Sequence, residues 1–98
     1  MSEIEFEWDP TKAAANLKKH GVSFEEASTA FWDDHALVID DPDHSLDEER
    51  FVLLGLSSNV RLVTVVHCFR GEDDVIRIIS ARRATPGEQT SYEAQVRR

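Results

Sequence analysis

Residues 5–27, EFEWDPTKAAANLKKHGVSFEEA, decide how this chain begins to fold. Ile4, Phe6 and Trp8 alternate with Glu5 and Glu7, the pattern of a strand with one buried face. Asp9 is a strong helix N-cap and Pro10 occupies the favoured first helical position. Lys12–Lys19 reads as a helix with a narrow apolar stripe of Ala13, Ala14 and Leu17. Gly21 follows the basic turn Lys18-Lys19-His20, where a C′ glycine stops a helix and cations suit its end. Ser23-Phe24-Glu25-Glu26 then has capping-box spacing. Phe24, Ala27 and Phe31 continue at helical spacing, with Ser28 tolerated beside them, and Asp33-Asp34 ends that helix.

Working outward, Ala36–Asp40 predicts a short strand and residues 41–49, DPDHSLDEE, an acidic loop. Arg50–Ser57, Val60–Phe69 and Val75–Arg83 are β-rich runs, with Ser58-Asn59 and Arg70–Asp74 as turns. Thr85 can cap a final helix over 86–96, although Gly87 weakens its start. The expected class is α+β, in the order β-α-α-β-β-β-β-α. The last three strands form an antiparallel meander, with helices over one face. At 98 residues, one domain spanning 1–98 is expected.

Charge is distributed unevenly. The chain carries net −8. Residues 1–49 hold 3 Lys and 14 acids, whereas residues 50–98 hold 8 Arg and 5 acids. The overall sign argues against a general nucleic-acid binder, but the basic half leaves room for a small RNA site. Cys68 is the only cysteine, which suits a reducing compartment. The N-terminus shows no basic region followed by an apolar run. No apolar stretch approaches the roughly 20 residues that span a bilayer, so a cytoplasmic, membrane-free protein is expected.

Two-residue and five-residue turns would align Arg50, His67 and Arg77 in one row across three strands, neighbours roughly 5 Å apart. A slip of one residue would turn a strand's side chains to the other face. In that row Val63, Val65, Ile79 and Ala81 lie beside the cations, and Leu62, Thr64, Val66, Cys68, Ile76, Ile78 and Ser80 lie opposite. Metal chemistry is not expected. His20, His35, His44 and His67 have no ligand spacing, and the calcium-loop-like run from Asp41 has Leu46 and Val52 where glycine and glutamate belong. His67 and Cys68 are adjacent on a strand and point apart, which argues against a Cys–His pair. No cofactor fingerprint is present.

What remains is a metal-free basic site. RNA cleaves through its own 2′-hydroxyl once a base, fixed cations and an acid are supplied. His67 can exchange the proton. Arg77, Arg50, Arg82 and Arg83 can clamp phosphate, with Arg61 a further RNA contact. Lys19 and His20 can join them if their helix end faces the row, although favourable charge at a helix end explains them equally well.

Several stretches resemble the BrnT family of ribonuclease toxins: Glu7-Trp8-Asp9, Asn16, Lys19-His20-Gly21-Val22, Phe24, Glu26-Ala27, Asp43-His44-Ser45, Glu49-Arg50, His67 and Ile78–Arg83. The resemblance covers about residues 4–85. It implies a RelE-like fold, a small antiparallel sheet with two N-terminal helices on it. It also implies a metal-independent endoribonuclease that blocks translation. The implied partner is a BrnA-type ribbon-helix-helix antitoxin, two copies of each in the complex, with promoter DNA bound only through the antitoxin. Pro86–Thr90 departs from relatives richer in Arg and Glu. The acidity of the chain supports a second expectation: a non-enzymatic module that binds an antitoxin and corepresses transcription.

Overall fold

The structure, a computed structural model, describes residues 4–40, 49–71 and 75–97. The expected acidic loop, its calcium-like run and the Asp43-His44-Ser45 stretch lie almost wholly outside these residues. The elements are β1 (Glu5–Glu7), α1 (Pro10–His20), α2 (Phe24–Thr29), a 3₁₀ turn (Ala30–Trp32), β2 (Leu37–Asp40), β3 (Phe51–Leu56), β4 (Leu62–Arg70), β5 (Val75–Arg83) and α3 (Pro86–Val96). The class is α+β in the expected order. One five-stranded sheet runs β1-β5-β4-β3-β2, antiparallel from β2 to β5. β1 joins the far edge parallel to β5, which makes the sheet mixed.

Local punctuation follows the residues. Asp9 accepts from the Thr11 N–H at 2.9 Å. Gly21 adopts a left-handed φ of 71° and its N–H reaches the Leu17 carbonyl at 2.8 Å. Ser23 accepts from the Glu26 N–H at 2.9 Å. Thr85 and Glu88 close a full capping box despite Gly87. The core lies between α1, α2 and one sheet face: Val22, Phe24, Ala27, Ala30, Leu53, Val63, Val65, Ile78 and Ala81. Gly55 lets the 3₁₀ turn lie close on β3, because a Cβ there would sit 2.9 Å from the Ala30 carbonyl oxygen.

The buried face of α1 departs from the expected stripe. Leu17 is exposed and Asn16 is buried. The Asn16 amide donates to the carbonyls of Val22 at 2.9 Å and Ala81 at 2.8 Å, and its oxygen accepts from the Ala81 N–H at 3.1 Å. It therefore bonds β5 as a neighbouring strand would.

Two irregularities set the register. The β3–β4 connection closes on Ser57 N–H to Arg61 O, leaving a three-residue loop, Ser58-Asn59-Val60, instead of two. Val60 takes the left-handed position with φ 59°, as the last residue of such loops does. Phe51, not Arg50, consequently faces His67. Farther on, Val66 pairs with Ser80 but His67 pairs with Ile78. Ile79 is the extra residue of a bulge, so Ile78 enters the core and Ile79 does not.

A β-branched residue at positive φ is strained by about 1–2 kcal/mol. Val60→Gly is therefore expected to raise stability by about 1 kcal/mol, read as a higher urea midpoint. An unchanged or lower midpoint would show that the loop carries no such strain.

Candidate nucleic-acid interface

The structure does not form the Arg50–His67–Arg77 row. His67 lies on the helix-covered face of β4 with Val63 and Val65, and its side chain is fully buried. Its ring is caged by Phe31 at 4.8 Å, Phe69 at 5.7 Å and Phe51 at 6.0 Å between centroids. Its Nδ1 lies 3.2 Å from the Val65 carbonyl oxygen. Arg77 pairs with Cys68 instead, so it projects from the opposite face. There it donates to Glu7 Oε2 at 2.8 Å. Arg50 precedes β3 and is half-buried, one position away from the register of His67.

The buried imidazole has a consequence for stability. Burial lowers the His67 pKa, and the Val65 carbonyl opposes this only partly. The folded state thus favours the neutral ring, while the unfolded chain takes up a proton near its ordinary value of 6.5. Stability is expected to fall as pH drops through 6.5 towards the lower folded value. Urea midpoints at pH 7.5 and 5.5 measure this slope, and His67→Phe should flatten it. A wild-type slope that persists in the variant would assign it elsewhere.

Several arginines proposed for RNA are committed to structure. Arg61 forms an ion pair with buried Glu26 and donates to the Gly21 carbonyl at 2.9 Å. Ser57 Oγ donates to the same carboxylate at 2.7 Å. Arg61 holds the Glu26 pKa below the usual carboxylate value, against the effect of burial. Arg82 grips Glu88 through two bonds of 2.8 and 3.0 Å. Glu88 also accepts from Thr64 Oγ1 at 3.0 Å, and its pKa is held down to about 2, chiefly by Arg82. The capping-box spacing at Ser23 hinted at Glu26, but its carboxylate turns to Arg61 and not to the helix backbone.

One group of accessible cations gathers at one end of the sheet. Lys18, Lys19 and Arg83 are exposed and His20 is half-buried. Among the described residues none of these four is held in an ion pair. The Arg61–Gly21 bond fixes the end of α1 beside the start of β4. Arg83 lies across from Val63, and with Arg61, Gln89 and Tyr92 it lines a shallow cavity under α3. Sequence patterning did not point to Gln89 or Tyr92. Arg77 lies six residues back along β5, roughly 20 Å away. The cations therefore form two groups, one at each end of the sheet, and one phosphate cannot bridge them.

The frame is thus a small mixed sheet with two helices packed on one face and a group of exposed cations at one end. The family described as "Ribonuclease toxin, BrnT, of type II toxin-antitoxin system" matches residues 8–88, and the chain belongs to that family. The fold is similar to the 1.1 Å crystal structure of the Brucella abortus ribonuclease toxin, BrnT. The TM-score is 0.61 at 23% identity, covering 87% of this chain and 99% of that one. No curated protein matches. Family membership implies an antitoxin partner. Among the described residues, no helix is long and apolar enough to cross a membrane.

Proposed function

We propose that the chain is a metal-independent endoribonuclease that cuts RNA through its 2′-hydroxyl and thereby halts translation. A BrnA-type ribbon-helix-helix antitoxin neutralises it in a two-plus-two complex, and promoter DNA is engaged only through that antitoxin. Beyond family membership, one observation carries this reading: Lys19, His20 and Arg83 stand accessible at the same sheet end, with Arg61 and Arg82 behind them. Lys19 and Arg83 neutralise phosphate, and His20, half-buried beside them, is the imidazole at this end that can move a proton. Arg61 and Arg82 act by holding the surface in shape. His67, Arg77 and Arg50 serve the other end of the sheet, His67 as a packed ring.

The test uses antitoxin-free protein, single-stranded RNA and EDTA. Wild type is expected to leave 2′,3′-cyclic phosphate ends. His20→Ala should lower the rate about 100-fold or more, and Lys19→Ala and Arg83→Ala should weaken RNA binding. Arg77→Ala should retain cleavage. Folded wild-type protein that never cleaves would remove the enzyme reading.

The pairing of Arg61, Arg77 and Arg82 with Glu26, Glu7 and Glu88 favours the second reading, a non-enzymatic corepressor that binds antitoxin. That reading predicts a stable complex and no cleavage in the same assay.

A further inference from the structure

We infer that β2 is the strand onto which the antitoxin adds a segment of its own, an extended stretch with alternating apolar residues flanked by Lys or Arg. This rests on the toxin–antitoxin reading above and assigns the surface where neutralisation occurs.

β2 is a sheet edge that pairs only with β3 among the described residues. Alternate backbone N–H and C=O groups of such a strand face outward and can template another strand. Edges are normally guarded by lysine, proline or a bulge. Leu37-Val38-Ile39-Asp40 has none of these three, and its guards are its shortness and the charge of Asp40 at its end. Val38 is 54% exposed and Ile39 60% exposed, on opposite faces of the strand. On the Ile39 face the edge opens into a groove lined by Leu37, Ile39, Val52 and Leu54, with Glu88 and Ser91 of α3 on its far side. A strand laid along β2 would place alternate apolar side chains in that groove, the mode known as β-augmentation.

Charge decides the occupant. Residues 33–49 hold eight acids and no Lys or Arg. A second copy docked edge to edge would bring its exposed Asp34 and Glu49 towards the same acids of the first copy, and like charges across an interface are costly. Residues 41–48 of the chain itself carry a single large apolar side chain, Leu46, too few to alternate into the groove. A cationic segment meets both demands. It gains main-chain bonds from β2, burial from the groove and attraction from the flanking acids.

The test titrates the whole chain with its purified cognate antitoxin by calorimetry, alongside backbone hydrogen exchange. Ile39→Lys is expected to weaken the complex about 30-fold or more, and Asp34→Lys to weaken it further at low salt. Ile4→Lys, at the opposite edge, should bind as wild type. In the wild-type complex the outward amides of β2 should exchange more slowly than in the free chain. Ile39→Lys should still cut RNA but escape inhibition. Because calorimetry and exchange do not depend on nuclease activity, a catalytically silent chain would defeat the enzyme reading and leave this one standing. Wild-type affinity in Ile39→Lys with unchanged β2 exchange would overturn the assignment. So would β2 amides already protected in the free chain, a self-associated chain with β2 protected, or no complex with the antitoxin.

Discussion

Asn16→Ala is expected to cost about 3–6 kcal/mol and leave much of the chain unfolded at 37 °C. The side chain is buried and its amide satisfies three backbone groups: the Val22 carbonyl, the Ala81 carbonyl and the Ala81 N–H. Each buried polar group left without a partner costs about 1–3 kcal/mol. Small domains have about 5–15 kcal/mol of total stability, so the loss is a large share. Asn16→Asp keeps the acceptor but sets a carboxylate against two carbonyl oxygens, and is expected to be equally damaging. Urea unfolding followed by circular dichroism measures both. A loss below about 1 kcal/mol for Asn16→Ala would mean that water replaces the amide.

Glu26→Ala is the second large effect, expected at about 3 kcal/mol. The carboxylate is nearly buried and receives Arg61 and Ser57, so its removal strands two polar partners. Removing one member of a buried ion pair typically costs about 3–5 kcal/mol. Arg61 is partly exposed, and water recovers some of that. Arg61→Met combined with Glu26→Leu should recover part of the stability, because no charge then remains to solvate. The pH dependence has a definite sign. Arg61 lowers the folded pKa of Glu26 below the ordinary 4.5, so its contribution is present above 4.5 and lost as pH falls through the folded value. The Glu26 loss begins only below 4.5 whereas the His67 loss begins at 6.5, so the interval from pH 7.5 to 5.5 lies outside the Glu26 window, and Glu26→Ala removes the Glu26 share below it. Equal midpoints for wild type and Glu26→Ala at neutral pH would defeat the prediction.

Local chemistry was legible in the residues, and long-range geometry was not. Asp9, Gly21, Ser23 and Thr85 act within three or four residues of themselves, and each does what its type and position suggest. The row through His67 failed because register depends on single residues. A type-I-like loop with Val60 in a left-handed conformation runs against the preference of a β-branched residue, so Ser58-Asn59 looked like the whole turn. Nothing in VIRIISARR distinguishes Ile78 from Ile79 as the core residue, because both are isoleucine and the bulge falls between them. Asn16 looked polar and Leu17 apolar, yet the amide is buried because β5 offers it a carbonyl and an N–H. Parallel pairing of β1 was hidden too, since a three-residue strand does not reveal its neighbour.

The docking of the first strand and first helix onto the last strand governs when the molecule can exist at all. Glu7 meets Arg77 and Asn16 meets Ala81, contacts 70 and 65 residues apart. As the chain leaves the ribosome, β1 and α1 emerge before β5, the strand on which they dock. Any product that stops before Val75 has an Asn16 amide with no β5 to bond and a β1 with no neighbour. Closing loops of that length also slows folding compared with a helical bundle of the same size. Truncated messages that lack β5 therefore yield fragments without the finished sheet, and the basic surface is assembled only once β5 has been made.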